Sequence, residues 1–197
     1  LVETCYADVD EDGYGDPDAT AETGTSNFNC DRDFKGLADD SDDCDDTDDT
    51  VYLGADELCD GQDNACSGSI DTDEIDNDSD GYVECADDGS AWAGSSITGY
   101  EDCDDTVSTV YPTATETAAD GVDQDCDDVD TCYRDADKDG YGSTTEVDGI
   151  DLDCDRSGAK LADDKTDCDD TDSVVYPSAA ELCDGQDNAC AGAVPTN

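Results

Sequence analysis

Apolar side chains in this chain stand in runs of one to three, each set off from the next by acids and turn formers. The pairs recur: Gly-Tyr at 13–14, 81–82 and 140–141, and Val-Tyr at 51–52, 110–111 and 175–176. Such short steps predict short β-strands at the Val-Tyr pairs and around the DGYG segments. Gly, Asp, Asn, Ser and Thr interrupt almost every five residues, which predicts turns. One helical turn is expected over 177–183, where a proline precedes small, helix-tolerant residues. Little regular secondary structure is predicted, and no stretch has the apolar length of a membrane-spanning helix.

The same segments return in the same order, the mark of an internal repeat. DxDxDGY occurs as DVDEDGY at 8–14, DNDSDGY at 76–82 and DADKDGY at 135–141. DCDD followed by Val-Tyr occurs at 43–52, 102–111 and 167–176. An acidic turn follows, ELCDGQDNAC at 57–66 and 181–190, and ETAADGVDQDC at 116–126. The chain therefore divides into repeat one (1–68), a divergent repeat two (69–127) that carries the single Trp92, and repeat three (128–197). The expected architecture is an elongated array of small, irregular repeats with short β-strands.

Composition sharpens the problem. The chain has 59 acidic and 7 basic residues for a formal charge of −52, and Leu, Ile, Val and Phe together number 25 of 197. Low hydrophobicity with such a charge is the signature of disorder. A core this poor does not offset roughly 1–2 kcal/mol of backbone entropy per ordered residue. Thirteen cysteines and regularly spaced carboxylates supply two other staples, disulfides and bound cations. So many cysteines point to an oxidising, extracellular or cell-surface location. Without histidine, Ser–His and Cys–His catalysis is excluded and a zinc site is disfavoured, so no enzyme is expected. Nucleic acid is excluded as a partner by the missing basic footprint.

DxDxDG is the first half of an EF-hand-like loop, in which alternate acids face one cation and a glycine turns the chain. The candidate ligands are Asp8, Asp10, Asp12, Asp16 and the Tyr14 carbonyl in repeat one. They are Asp76, Asp78, Asp80 and the Tyr82 carbonyl in repeat two, and Asp135, Asp137, Asp139 and the Tyr141 carbonyl in repeat three. The twelfth loop position, which should close the site, holds Ala19, Asp87 and Glu146 respectively, and in repeat one the closing ligand is expected from DCDD. A second site is expected from Asp43, Asp45 and Glu57, with Asp102, Asp104, Glu116 and Asp167, Asp169, Glu181 as counterparts. A third is expected in the acidic turn, from Asp60, Asp63, Asn64 and Asp71; from Asp120, Asp123, Asp125 and Asp130; and from Asp184, Asp187 and Asn188. Hard oxygen donors in flexible loops select several Ca2+ ions over Mg2+ or a transition metal.

Together, DxDGYG, DCDDTDxxVYP and ELCDGxDNxC resemble the repeat of the MopE-type metal-binding family of secreted and surface proteins. DxDxDG alone is also similar to the calcium loops of thrombospondin type 3 repeats. The resemblance implies calcium-dependent folding and an extracellular location. The family's copper activity is not implied, because it relies on imidazole and a modified tryptophan.

Cysteine spacing suggests Cys30–Cys44, Cys85–Cys103, Cys154–Cys168, Cys59–Cys66, Cys183–Cys190 and Cys126–Cys132, leaving Cys5 for another chain or as a free thiol. Alignment on DxDxDG sets Val2-Glu3-Thr4 against Ile70-Asp71-Thr72 and Val129-Asp130-Thr131, the segments that follow the acidic turns. Glu3 of one copy is therefore expected to reach the cation near Asp184 and Asp187 of the next, giving a head-to-tail filament of identical chains. The alternatives are an array cut in mid-repeat, and a calcium-dependent adhesin or matrix-binding module centred on Trp92.

Overall fold

The computed structural model describes residues 2–25, 30, 36–155 and 159–194, with the side chains of 2, 3 and 20–25 outside that description. The chain forms two compact bodies, Leu1–Asn77 with Val83–Tyr100, and Asp78–Tyr82 with Glu101–Asn197. Most of the described backbone is turn and irregular loop, with a single 3-10 turn at Thr72–Glu74.

Each body contains one small antiparallel sheet of the same design. In the first, β1 (Val2–Ala7) lies between β2 (Thr20–Thr25) and β3 (Leu37–Ala38), pairing Cys5 with Glu22 and Tyr6 with Ala38. In the second, β4 (Thr131–Arg134) lies between β5 (Glu146–Asp148) and β6 (Leu161–Ala162), pairing Cys132 with Val147 and Tyr133 with Ala162. β4 joins Thr, Cys and Tyr, residues that fit a pleated, half-buried surface.

The strands do not fall where the Val-Tyr and DGYG steps placed them, and 177–183 forms no helical turn. Packing explains the first difference. The second glycine of DGYG runs beneath a strand: a Cβ on Gly15 would stand 2.5 Å from the Tyr6 Cβ and 2.9 Å from the Asp40 carbonyl. Gly142 is pressed likewise against Tyr133, Ala162 and Asp164. Repeat two has Val83 at this position, fully buried, and no such sheet among its described residues. Val51, Val110 and Val175 are buried singly, each beside a tyrosine with another task.

The centre of each sheet is a disulfide. Cys5, Cys30 and Ala38 are fully buried in the first, and Cys132, Cys154 and Ala162 almost so in the second. All six expected pairings are corrected. The bonds are Cys5–Cys30, Cys44–Cys66, Cys59–Cys85, Cys103–Cys126, Cys132–Cys154 and Cys168–Cys190. They span 22 to 26 residues, so each joins two different motifs rather than closing one. Loops of this length lose roughly 3 kcal/mol of unfolded-state freedom per bond in the chain-entropy account. The cysteine outside the six bonds is the exposed Cys183, not Cys5.

Candidate metal centre

The acids of each DxDxDG loop turn the backbone with one oxygen and hold back the other. In repeat one the Asp12 and Tyr14 amides donate to Oδ1 of Asp10 and Asp12, at 3.2 and 2.8 Å. The Asp80 and Tyr82 amides do the same to Asp78 and Asp80, and the Asp139 and Tyr141 amides to Asp137 and Asp139. The first acid of each DCDD follows suit: Oδ1 of Asp43, Asp102 and Asp167 takes the amide two residues on, at 2.8, 2.9 and 2.9 Å. Their second oxygens are buried and accept no hydrogen bond: Oδ2 of Asp10, Asp12 and Asp43, of Asp80 and Asp102, and of Asp137, Asp139 and Asp167.

Oxygens of Asp10, Asp12 and Asp43 lie within 4.8 Å of one another, as do those of Asp8, Asp10 and Asp46. Buried anions packed this closely raise one another's pKa. Asp43, Asp102 and Asp139 are pushed up to about 6, first by burial and then by neighbouring carboxylates. Asp10, Asp12, Asp137 and Asp167 are raised for the same reasons. In all three repeats the carboxylate brought beside the loop acids is thus the first of DCDD.

The last acid of DCDD was missed as a positioning residue. Asp46 Oδ1 accepts the Val9 amide at 2.7 Å, and Asp170 Oδ1 accepts that of Ala136 at 2.5 Å, tying the loop to its DCDD. The Val-Tyr tyrosines are a second tie. Tyr14 stacks on Tyr52 with ring centres 4.5 Å apart, Tyr82 on Tyr111 at 5.1 Å and Tyr141 on Tyr176 at 5.5 Å. The amides of Tyr52, Tyr111 and Tyr176 then donate to carbonyls of Asn64, Gln124 and Asn188 in the acidic turns.

Other expected ligands have different work. Asp43, Asp45 and Glu57 divide three tasks: Asp45 accepts the Thr47 hydroxyl, while Glu57 takes the Asn64 and Ala65 amides at 3.1 and 2.9 Å. Asp104 and Asp169 match Asp45, and Glu116 and Glu181 match Glu57. The residues of the expected third site accept backbone bonds that close the acidic turn. Asp60, Asp120 and Asp184 accept the amide two residues on, and Asp63, Asp123 and Asp187 each accept two amides. Asn64 and Asn188 are fully buried, their Oδ1 holding the Leu58 and Leu182 amides at 3.0 Å. A peptide donor already reaches these carboxylates and carboxamides, so they shape the acidic turn.

Asp16 and Asp87 cap their own turns, and Glu146 is exposed on β5. Asp135 holds the Lys138 and Gly140 amides. Asp71 precedes the 3-10 turn, and Glu74 three residues on is the acid that docks on the octapeptide CDGQDNAC at 59–66. Asp125 Oδ1 and Glu116 Oε2 are buried without a donor, and each carboxyl is raised by burial and by like charge. Asp76 belongs to the first body and Asp78 and Asp80 to the second, while the Glu3 side chain lies outside the described residues.

A family model described as a putative metal-binding motif, Cu-binding MopE, matches residues 43–72, 102–130, 135–158 and 167–195. No curated protein and no solved structure matches the chain. Three of the matched segments begin at DCDD and run through the acidic turn. Among the described residues no helix is long and apolar enough to cross a membrane.

Proposed function

The chain belongs to the Cu-binding MopE family of metal-binding motifs, and on that premise we propose that it is an extracellular, calcium-stapled structural protein that assembles head to tail into a surface filament. The observation that carries the reading is the recurrence, in all three repeats, of buried carboxylate oxygens with no hydrogen donor where the DxDxDG loop meets DCDD. Charges withdrawn from water in this way need a cation beside them. The converging donors are hard oxygens, histidine is absent, and twelve of thirteen cysteines are consumed in disulfides. Calcium fits such a donor set, whereas copper lacks the imidazole it favours. The disulfides also support an oxidising location.

Each loop joins its DCDD only if their mutual repulsion is neutralised, so cation binding becomes folding free energy. Support for assembly comes from Val2-Glu3-Thr4, which aligns with Ile70-Asp71-Thr72 and Val129-Asp130-Thr131, the segments that follow the first two acidic turns. The adhesin reading has less support: Trp92 is half-buried on Gly61 and Gly94, with its indole N–H donated to the Ser95 carbonyl. Electron microscopy of the oxidised protein tests the proposal. Long unbranched fibres in calcium that fray on chelation are expected. Monodisperse particles in both conditions would contradict the filament.

A further inference from the structure

The first acidic turn and the opening of repeat two flank a cavity of about 190 Å3. Five acidic residues line it, Glu57, Asp71, Asp73, Glu74 and Asp88, and no Lys or Arg is among its described walls. The Cys59–Cys85 disulfide lies in the same wall, and a carboxylate oxygen of Glu74 stands within 4.8 Å of both sulfurs. All of these residues belong to the first body.

Exposed acids in a cluster need no ion, but Glu74 is only 5% exposed. Its Oε1 accepts the Asp60 and Gly61 amides at 2.8 and 3.1 Å, while its Oε2 is buried with no hydrogen donor. Burial raises the carboxyl's pKa, and the Asp60 and Glu57 charges raise it further. Asp130, which meets the acidic turn of repeat two, shows the contrast. Its Oδ1 takes the Ala119 amide and its Oδ2 the Gly121 amide, so both oxygens are satisfied. A carboxylate out of water with one oxygen unpaired calls for a positive charge beside it. The cavity has room for a cation with part of its water shell, at about 30 Å3 per water.

We propose that this cavity binds a further calcium ion on Glu74 Oε2, with Glu57, Asp71, Asp73 and Asp88 completing its shell directly or through water. The identity of the ion rests on the calcium reading above, but the site shares no acid with the three loop centres. Glu57 and Asp88 are already held in place by the Asn64, Ala65 and Cys59 amides. Hard oxygens at irregular angles, with water in the remaining positions, suit Ca2+ better than the stricter octahedron of Mg2+. Glu57 comes from repeat one and the other four acids from repeat two, so neither repeat holds the site alone. The ion clamps the two repeats beside Cys59–Cys85, the disulfide that joins them.

The test uses the full oxidised chain, with terbium(III) as a luminescent stand-in for calcium. Trp92, the single tryptophan, packs on Gly61, whose amide binds Glu74, so terbium in this cavity should emit on tryptophan excitation. Wild type is expected to give that emission and to lose it in excess calcium. Glu74→Gln keeps an acceptor for the two amides and removes the charge, and should weaken terbium binding at this site at least about tenfold. Asp71→Asn combined with Asp73→Asn should weaken it comparably while leaving Glu74 on its amides, which keeps the test open if Glu74→Gln does not fold. Native mass spectrometry should count one calcium fewer in Glu74→Gln than in wild type. Wild type that retains calcium but stays dark under tryptophan excitation, or variants that match wild type in emission and calcium count, would overturn this site and leave the loop centres standing. A wild type that binds neither ion would overturn the calcium reading and this site with it.

Discussion

The two copies of CDGQDNAC have one sequence, one pattern of internal hydrogen bonds and two surroundings. In the first, Cys59, Asp60 and Gly61 are buried beneath Glu74, Trp92 and the Cys59–Cys85 bond. In the second, Cys183, Asp184 and Gly185 are exposed. The turn is thus specified by its own residues and by the preceding glutamate, Glu57 or Glu181. Its burial is specified by what lies downstream. A carboxylate docks on a turn that is already formed.

The largest expected effect removes the difference between the copies altogether. Both turns hang from the candidate cation centres through the tyrosine stacks, so on the calcium reading stripping the metal should loosen both. Without metal, the raised carboxyl pKa values mean that the native state binds more protons than the unfolded chain between about pH 4 and about pH 6. Stability of the metal-free chain should therefore fall as pH rises through that window. In saturating calcium the slope should reverse, because protons compete with the ion. Urea midpoints at pH 4.5 and 7, with and without calcium, check both signs.

Next in size is a glycine pair. A Cβ on Gly61 would stand 2.7 Å from Gly94 Cα and 3.0 Å from Trp92, whereas one on Gly185 meets nothing within 4 Å. Both substitutions bear the cost of a left-handed backbone, about 1 kcal/mol. Gly61→Ala adds overpacking of about 1–3 kcal/mol, so it should be the more destabilising in urea unfolding. Glu74→Ala follows. It leaves two buried amides without an acceptor and should cost about 2 kcal/mol, with no counterpart in the second copy. The smallest effect needs no mutation. The Asp60 and Gly61 amides should exchange with deuterium at least about tenfold more slowly than those of Asp184 and Gly185.

The repeated motifs, the tight acidic loops and the irregular architecture were legible in the sequence, because spaced acids and glycines act locally. The disulfides were not, since short spacing suggested local loops while the bonds join different motifs. A signal existed nonetheless: repeat two has alanine in place of Cys59, and repeat three has no cysteine after DGY to match Cys85. The two absences mark a pair that bridges one repeat to the next. The roles of Glu57 and Asn64 were hidden for a different reason. An acid that serves a cation and one that serves a peptide N–H read alike in sequence, and only the fold shows which donor reaches it. Val-Tyr misled because its tyrosine stacks on the loop instead of extending a strand.

The central claim is that the first acid of DCDD completes a cation centre in each repeat. Native mass spectrometry of the oxidised chain, counting retained calcium in wild type and in Asp43→Asn, Asp102→Asn and Asp167→Asn, tests it most directly. The account predicts at least three ions per wild-type chain and a lower count in every variant. A wild-type chain that retains no calcium, or variants that retain as much as wild type, would contradict it.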